Sequence, residues 1–255
     1  MPTILVTNDD GVSSQGIRIL AEALMPLGDV YIVAPETEQS AVAHALTLHR
    51  PLKSDKIDKN IYCINGTPTD CVIIAVHKLL PLRPDIIVSG INNGGNLGDN
   101  LTYSGTVAAA MEGTLLGIPS LAISLVTEYR SNNGNKNHGA GYQRAADYAR
   151  EVAIKVLDKG LPKDTLLNVN VPECTHINGV RLTKQGKIVY DNGIQELSDP
   201  RGQECYWIGG GDPKWQRGEN TDLDAIHNNY ISVTPVHLDL TNYEALSYLQ
   251  ENWEK

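Results

Sequence analysis

Ile4-Leu5-Val6-Thr7-Asn8-Asp9-Asp10-Gly11 is the stretch that decides the fold. Its apolar, partly β-branched half reads as a short strand buried on both faces. Its polar half then falls just beyond the strand's C-terminal end, where open α/β sheets bind ligands. Two adjacent carboxylates repel each other unless something cationic sits between them. The stretch therefore points to a divalent metal at Asp9 and Asp10. The competing reading is a polar turn, with Asp10-Gly11 as an ordinary turn dipeptide.

Working outward, Ile17, Leu20, Ala21 and Leu24 repeat at helical spacing, and Gly28 supplies a stop. A second apolar strand over 30–34 ends at Pro35, completing a crossover unit that is right-handed on general grounds. Residues 45–65 read as a hairpin with a charged turn over 53–59. Thr67, Pro68 and Asp70 predict the capped start of a helix over 68–80. Further strands are predicted over 85–89, 121–125 and 166–171, and an amphipathic helix over 140–157. The Ser-, Asn- and Gly-rich stretch 127–138 reads as a mobile surface loop. Residues 1–175 thus form a doubly wound, mostly parallel α/β core. After it the pattern changes to a C-terminal β-rich extension. Residues 176–235 hold short strands with Tyr206-Trp207-Ile208 and Trp215. This span is either a protruding arm that packs on another subunit or a local β extension. Residues 236–255 predict a terminal helix, over 242–253, packing on the core or on a partner.

The 255 residues carry a net charge of -9, from 30 acids against 21 bases. No basic cluster is present, which argues against a nucleic-acid polymer as partner. A small phosphorylated ligand stays open, because a metal reverses the local sign. The four cysteines form no C-x-x-C pair, and Cys63 and Cys71 read as core residues. No apolar run approaches the ~20 residues of a membrane span. The first strand begins almost at Met1, which leaves no room for a signal peptide. The expectation is a soluble, cytoplasmic protein with no membrane partner.

A second informative run is Ser89-Gly90-Ile91-Asn92-Asn93-Gly94-Gly95-Asn96-Leu97-Gly98-Asp99-Asn100. Glycines let a ligand approach the backbone, and asparagines offer neutral oxygen donors. It reads as a binding loop or, failing that, a flexible connection. Asp9, Asp10, Ser40 and Asn92 all fall at strand ends and form a candidate metal set of hard oxygens. Such a set suits one Mg²⁺ or Mn²⁺. His44 and His49 lie nearby but read as capping or surface residues. Ser104-Gly105-Thr106 opens a helix whose free N–H groups suit phosphate, unless Ser104 only caps it. Asn96, from the loop, and Asn8, beside the carboxylates, join the substrate-binding candidates. The chemistry that fits is phosphate-monoester hydrolysis by a water activated on the metal, with Asp9 or Asp10 assisting proton transfer. No G-x-x-x-x-G-K-[ST] occurs, so P-loop chemistry is out. A sensing module that binds nucleotide and metal without turnover is the alternative.

These residues resemble a known family. Asn8-Asp9-Asp10-Gly11, Ala34-Pro35 with Ser40, Gly66-Thr67-Pro68-Thr69-Asp70, Ser89-Gly90-Ile91-Asn92 and Tyr103-Ser104-Gly105-Thr106-Val107 occur in the order found in the SurE nucleotidases. Asn168-Val169-Asn170-Val171-Pro172, Tyr206-Trp207-Ile208-Gly209 and Thr221-Asp222 extend the likeness to the C-terminal part. The resemblance implies a Rossmann-like core and a metal-dependent phosphatase acting on nucleoside 5′- and 3′-monophosphates. It also implies a side activity on short polyphosphate. The family's Mg²⁺ or Mn²⁺ would sit on Asp9, Asp10, Ser40 and Asn92, and its C-terminal arm would join subunits into dimers or tetramers. After Ser40 some relatives carry Gly and Ser, where this chain has Ala41-Val42-Ala43-His44.

Overall fold

In the computed structural model every residue of β1 (Thr3–Thr7) is buried, as its apolar sequence demands. The structure describes residues 1–127, 138–190, 193–208, 213–216 and 218–253. The helix α1 (Gln15–Leu24) returns the chain to β2 (Asp29–Pro35), which lies parallel to β1 with Ile4 opposite Val30. A hairpin follows, β3 (Ser54–Asp58) and β4 (Ile61–Ile64), and β4 adds in parallel to β2. The charged run expected to be the hairpin's turn is largely β3 itself. It forms the sheet's exposed outer strand, where charges discourage pairing with another chain.

The helix α2 (Pro68–Ile74) then crosses back, opened by a reciprocal cap between Thr67 and Asp70. It leads to β5 (Ile86–Asn93), on the other side of β1. Next come α3 (Gly105–Leu115), β6 (Ser120–Val126), α4 (Gly139–Lys159) and β7 (Thr165–Pro172). The loop predicted over 127–138 falls almost wholly on residues 128–137, outside the described residues. Because β2 and β5 flank β1 on opposite sides, the crevice at the C-terminal ends of β1 and β5 is the topological switch point. Ile17, Leu20 and Leu24 of α1 and Ala145, Ala149 and Val152 of α4 fill the core on one face. Val72 of α2 and Ala109 of α3 pack on Leu5, Val33 and Ile87 on the other.

The chain then departs from the expected boundaries. Strands β8 (Val180–Leu182), β9 (Lys187–Tyr190), β10 (Ile194–Ser198), β11 (Glu204–Ile208) and β12 (Pro213–Gln216) precede α5 (Asp222–His227) and β13 (Ile231–His237). Two of them lie within the 176–235 span yet belong to the main sheet. β13 runs antiparallel to β7, and β8 pairs with β13. The full order is β3-β4-β2-β1-β5-β6-β7-β13-β8. Ile231 and Val233 are buried in the same core as α1 and α4, which is why β13 returns. Among the described residues, only the two-stranded pairs β10-β11 and β9-β12 stand outside this sheet. The last helix, α6 (Tyr243–Trp253), buries none of its residues. Among the described residues no helix is long and apolar enough to cross a membrane.

Gly16, at the start of α1, lets that helix approach β5 closely. A Cβ there would lie 2.2 Å from the Ile91 carbonyl oxygen. Gly16→Ala must therefore push α1 off the sheet, and we expect a loss of about 1–3 kcal/mol. Urea unfolding should show a lower midpoint at unchanged slope.

Candidate active site

The turn after β1 is built to present two carboxylates. Asn8 is fully buried, and its Nδ2 donates to the Gly11 carbonyl (3.0 Å) and to Ser14 Oγ (2.8 Å). The Asp9 carbonyl accepts the Gln39 N–H (2.8 Å), and the Val12 N–H donates to the Pro35 carbonyl (2.9 Å). These bonds tie the turn to the chain leaving β2. Asp10 Oδ2 accepts the Asn93 N–H (3.3 Å) from the end of β5.

Asp9 is held from behind by α3. Thr106, itself wholly buried, donates its hydroxyl to Asp9 Oδ1 at 2.5 Å. A Cβ on Gly105 would lie 2.8 Å from Asp9 Cβ, so only glycine leaves room for this contact. Burial raises the Asp9 carboxyl above its ordinary value, while the hydroxyl and backbone N–H of Thr106 oppose that rise. The positive end of α3 is thus engaged with a carboxylate. Asp10 lacks this support. Burial, followed by the charge of Asp9, lifts its carboxyl to about 6.

Asp9, Asp10, Ser40, Asn92, Asn96 and Ser104 line one cavity of about 470 Å³. Asn8, Gly105 and Thr106 do not line it; they lie behind it and position what does. The Ser40 hydroxyl donates to Glu38 Oε1 (2.5 Å), which leaves its oxygen lone pairs for a cation. Asn92 Nδ2 donates to the Gly94 carbonyl (2.8 Å), leaving Oδ1 as the outward donor. Ser104 Oγ caps α3 by accepting the Val107 N–H (3.1 Å), so its own hydrogen stays available. Asn96 anchors its loop: Nδ2 donates to Ser124 Oγ (2.8 Å), and its N–H to Asn170 Oδ1 (2.9 Å). Its carbonyl accepts from Asn168 and Asn170.

Among the described residues the cavity wall holds three carboxylates, Asp9, Asp10 and Glu38, and no basic side chain. Asp9 and Asp10 have raised carboxyl values. A divalent cation fits this wall, since it relieves the repulsion and takes the hard oxygens offered. Among the described residues no trio of His, Cys, Asp and Glu converges; the set here depends on the neutral oxygens of Ser40 and Asn92. A larger cavity of about 840 Å³, lined by Trp215, Leu223 and Ile226, contains none of these groups.

Several wall residues escaped the sequence reading. Glu38 was detectable, being a carboxylate two residues before Ser40. Ser14, Asn93, Asn100 and Tyr103 also line the cavity. Tyr142 arrives from α4, and nothing local to it signals the site. Burial, then the charges of Asp10 and Glu173, push its hydroxyl up to about 12. Asp222 supports the loop from a distance: it accepts the N–H groups of Gly98, Gly186 and Leu223, each at 2.8 Å.

The raised carboxyls predict a pH signature for the metal-free protein. A group that binds its proton more tightly when folded adds stability at low pH, and that gain is lost as pH rises through its folded value. Asp10→Asn removes the charge. It should therefore melt higher than wild type at neutral pH, and this advantage should shrink as pH falls through about 6. Thermal melts in a chelator across that range check it.

The family described as Survival protein SurE matches residues 4–192. The 5′-nucleotidase SurE of Geobacter sulfurreducens is 54% identical over 253 residues, covering 98% of this chain and 93% of that protein. The 5′-nucleotidase SurE of Geotalea daltonii is 51% identical, covering 98% of each. The crystal structure of the SurE protein from Aquifex aeolicus superposes with a TM-score of 0.83 at 42% identity, covering 98% of this chain and 99% of that one. With sequence and fold matched over nearly its whole length, this chain belongs to the SurE family.

Proposed function

We propose that this protein is a metal-dependent phosphatase that hydrolyses nucleoside 5′- and 3′-monophosphates to nucleoside and phosphate. The observation that carries the proposal is one open cavity joining two adjacent, charge-stressed carboxylates to a capping hydroxyl with a free hydrogen. The names of its relatives support nucleotides as the substrate class.

Asp9, Asp10, Ser40 and Asn92 would hold the ion, with Mg²⁺ or Mn²⁺ suited to four oxygens. Such an ion supplies Lewis-acid polarisation of the phosphoryl group and a nucleophilic water. Ser104 is placed to donate its hydroxyl hydrogen to a phosphate oxygen, and Asn96 its second amide hydrogen. Asp9 is engaged by Thr106, whereas Asp10 receives a single long bond from Asn93. Asp10 is therefore the carboxylate placed to take a proton from the attacking water. These contacts address the phosphate rather than the sugar, so 5′ and 3′ esters are both accommodated, and short polyphosphate is a side substrate.

The same reading includes self-association into dimers or tetramers. Tyr206, Trp207 and Ile208 on β11 are exposed, as are Tyr243, Tyr248 and Trp253 on α6. Rings so placed suit an interface. The cysteines are free, which accords with a cytoplasmic setting.

Phosphate release from AMP with Mn²⁺, abolished by EDTA, tests the proposal. Asp9→Asn and Asp10→Asn should each lower kcat by at least about 10²-fold. A protein that binds AMP and Mn²⁺ without releasing phosphate would be a sensor instead. Ser104→Ala should cost only about 1 kcal/mol of stability through its lost cap, yet raise KM for AMP and the inhibition constant for inorganic phosphate. A lower melting temperature with unchanged KM would remove Ser104 from the site.

A further inference from the structure

We propose that the exposed ring of Tyr103 is the platform on which the substrate's base stacks, an assignment that rests on the nucleotidase reading above. The cavity wall is otherwise made of carboxylates, amides and hydroxyls, which suit an ion, a phosphate and a sugar. A nucleobase needs an apolar face, and among the described residues two rings reach the wall. Tyr142 is only 6% exposed, so its ring is closed behind other groups; Tyr103 is 61% exposed and stands on the rim.

Tyr103 immediately precedes Ser104, the hydroxyl placed for phosphate. Consecutive Cα atoms are about 3.8 Å apart, so the ring starts beside the proposed phosphate seat, and its exposure puts it at the cavity's solvent side. A nucleoside monophosphate has the same layout, with its base held off the phosphate by one sugar. The backbone under the ring is fixed. It ends the 3₁₀ turn Gly98–Tyr103, its carbonyl accepts the Ala43 N–H (3.1 Å), and Ser104 begins α3. A tyrosine on a held backbone has only two side-chain torsions to order on binding, which makes it an economical contact surface.

Stacking is tolerant of base identity, because every base has a π-face. The hydroxyl has no part in it. Tyr103→Ala in the full chain with Mn²⁺ should raise KM for AMP about tenfold, the loss of one base–aromatic contact. KM for ribose 5-phosphate and inhibition by inorganic phosphate should not move. Tyr103→Phe should behave as wild type on AMP. Adenosine binding by calorimetry should weaken in the alanine variant and persist in the phenylalanine variant. Matching melting temperatures would show that neither change disturbs the fold. Equal losses on AMP and ribose 5-phosphate, or an unchanged KM for AMP, would overturn the assignment. If wild type cleaves ribose 5-phosphate but not AMP, the nucleotidase reading fails and this inference with it. That result is read from wild type alone and is distinct from any result on the variants.

Discussion

The hydrogen bond from Thr106 to Asp9 is the contact on which the site depends. A carboxylate this buried is held against its desolvation cost only by donors aimed at it. Thr106 provides them, and it can do so because it stands at the N-terminal turn of α3, where backbone N–H groups are unpaired. The contact also joins two crossover units. Asp9 follows β1 and Thr106 opens the helix between β5 and β6, so their meeting fixes α3 against the sheet at the crevice. Gly105 is the corollary, since any side chain there would meet Asp9.

The opposite wall is fixed by polar chemistry of another kind. Asn96, Ser124, Asn168 and Asn170 form a buried network across β6 and β7, and its centre is the backbone of the loop that carries Asn92 and Asn96. Buried networks of this sort favour one arrangement, because each lost partner strands another buried group; here Asn168 Oδ1 is the one buried side-chain oxygen of the four without a partner among the described residues. Asp222 extends the support to the root of the β-rich arm by clamping Gly98 and Gly186 with one carboxylate. Burial raises that carboxyl, and the backbone N–H groups of Gly98, Gly186, Leu223 and Asp222 itself oppose the rise. The edge of the cavity and the base of the arm are thus one connected piece of structure.

Much of this was legible in the residues. The apolar run before Asn8, the helical repeat after it and the Thr67–Asp70 cap depend on local pattern, and local pattern survives folding. The positions of Asp9, Asp10, Ser40 and Asn92 followed from a single topological rule about strand ends. Thr106 illustrates the limit. Its place in the helix was readable, but whether its donors face a phosphate or Asp9 depends on how α3 meets β1, and no short-range signal reports that. β13 failed for a related reason. Ile231-Ser232-Val233-Thr234 reads as a strand, yet nothing in it says that it pairs with β7 rather than with the arm. Tyr142 enters from a helix packed on the far side of α1, and only the assembled core brings it to Asp10.

Of the four oxygens proposed to hold the ion, Ser40 has a different mechanical status. Asp9, Asp10 and Asn92 are fixed to β1, β5 and α3, whereas Ser40 lies on a strap without regular structure. Ala41 and Ala43 there adopt φ of 57° and 53°, a region that costs an L-residue about 1 kcal/mol or more. The strap is pinned on both sides of Ser40, and before it Gln39 donates its N–H to the Asp9 carbonyl (2.8 Å). Ala43 donates to the Tyr103 carbonyl, His44 pairs with Glu112 at 2.9 Å, and Thr67 Oγ1 donates to the Ala45 carbonyl. Local strain of this kind persists only where surrounding contacts over-determine the conformation, and here those contacts reach the 3₁₀ turn, α3 and the cap of α2. The geometry of the fourth oxygen is thereby set jointly by the turn after β1 and by the helices that pack on the sheet.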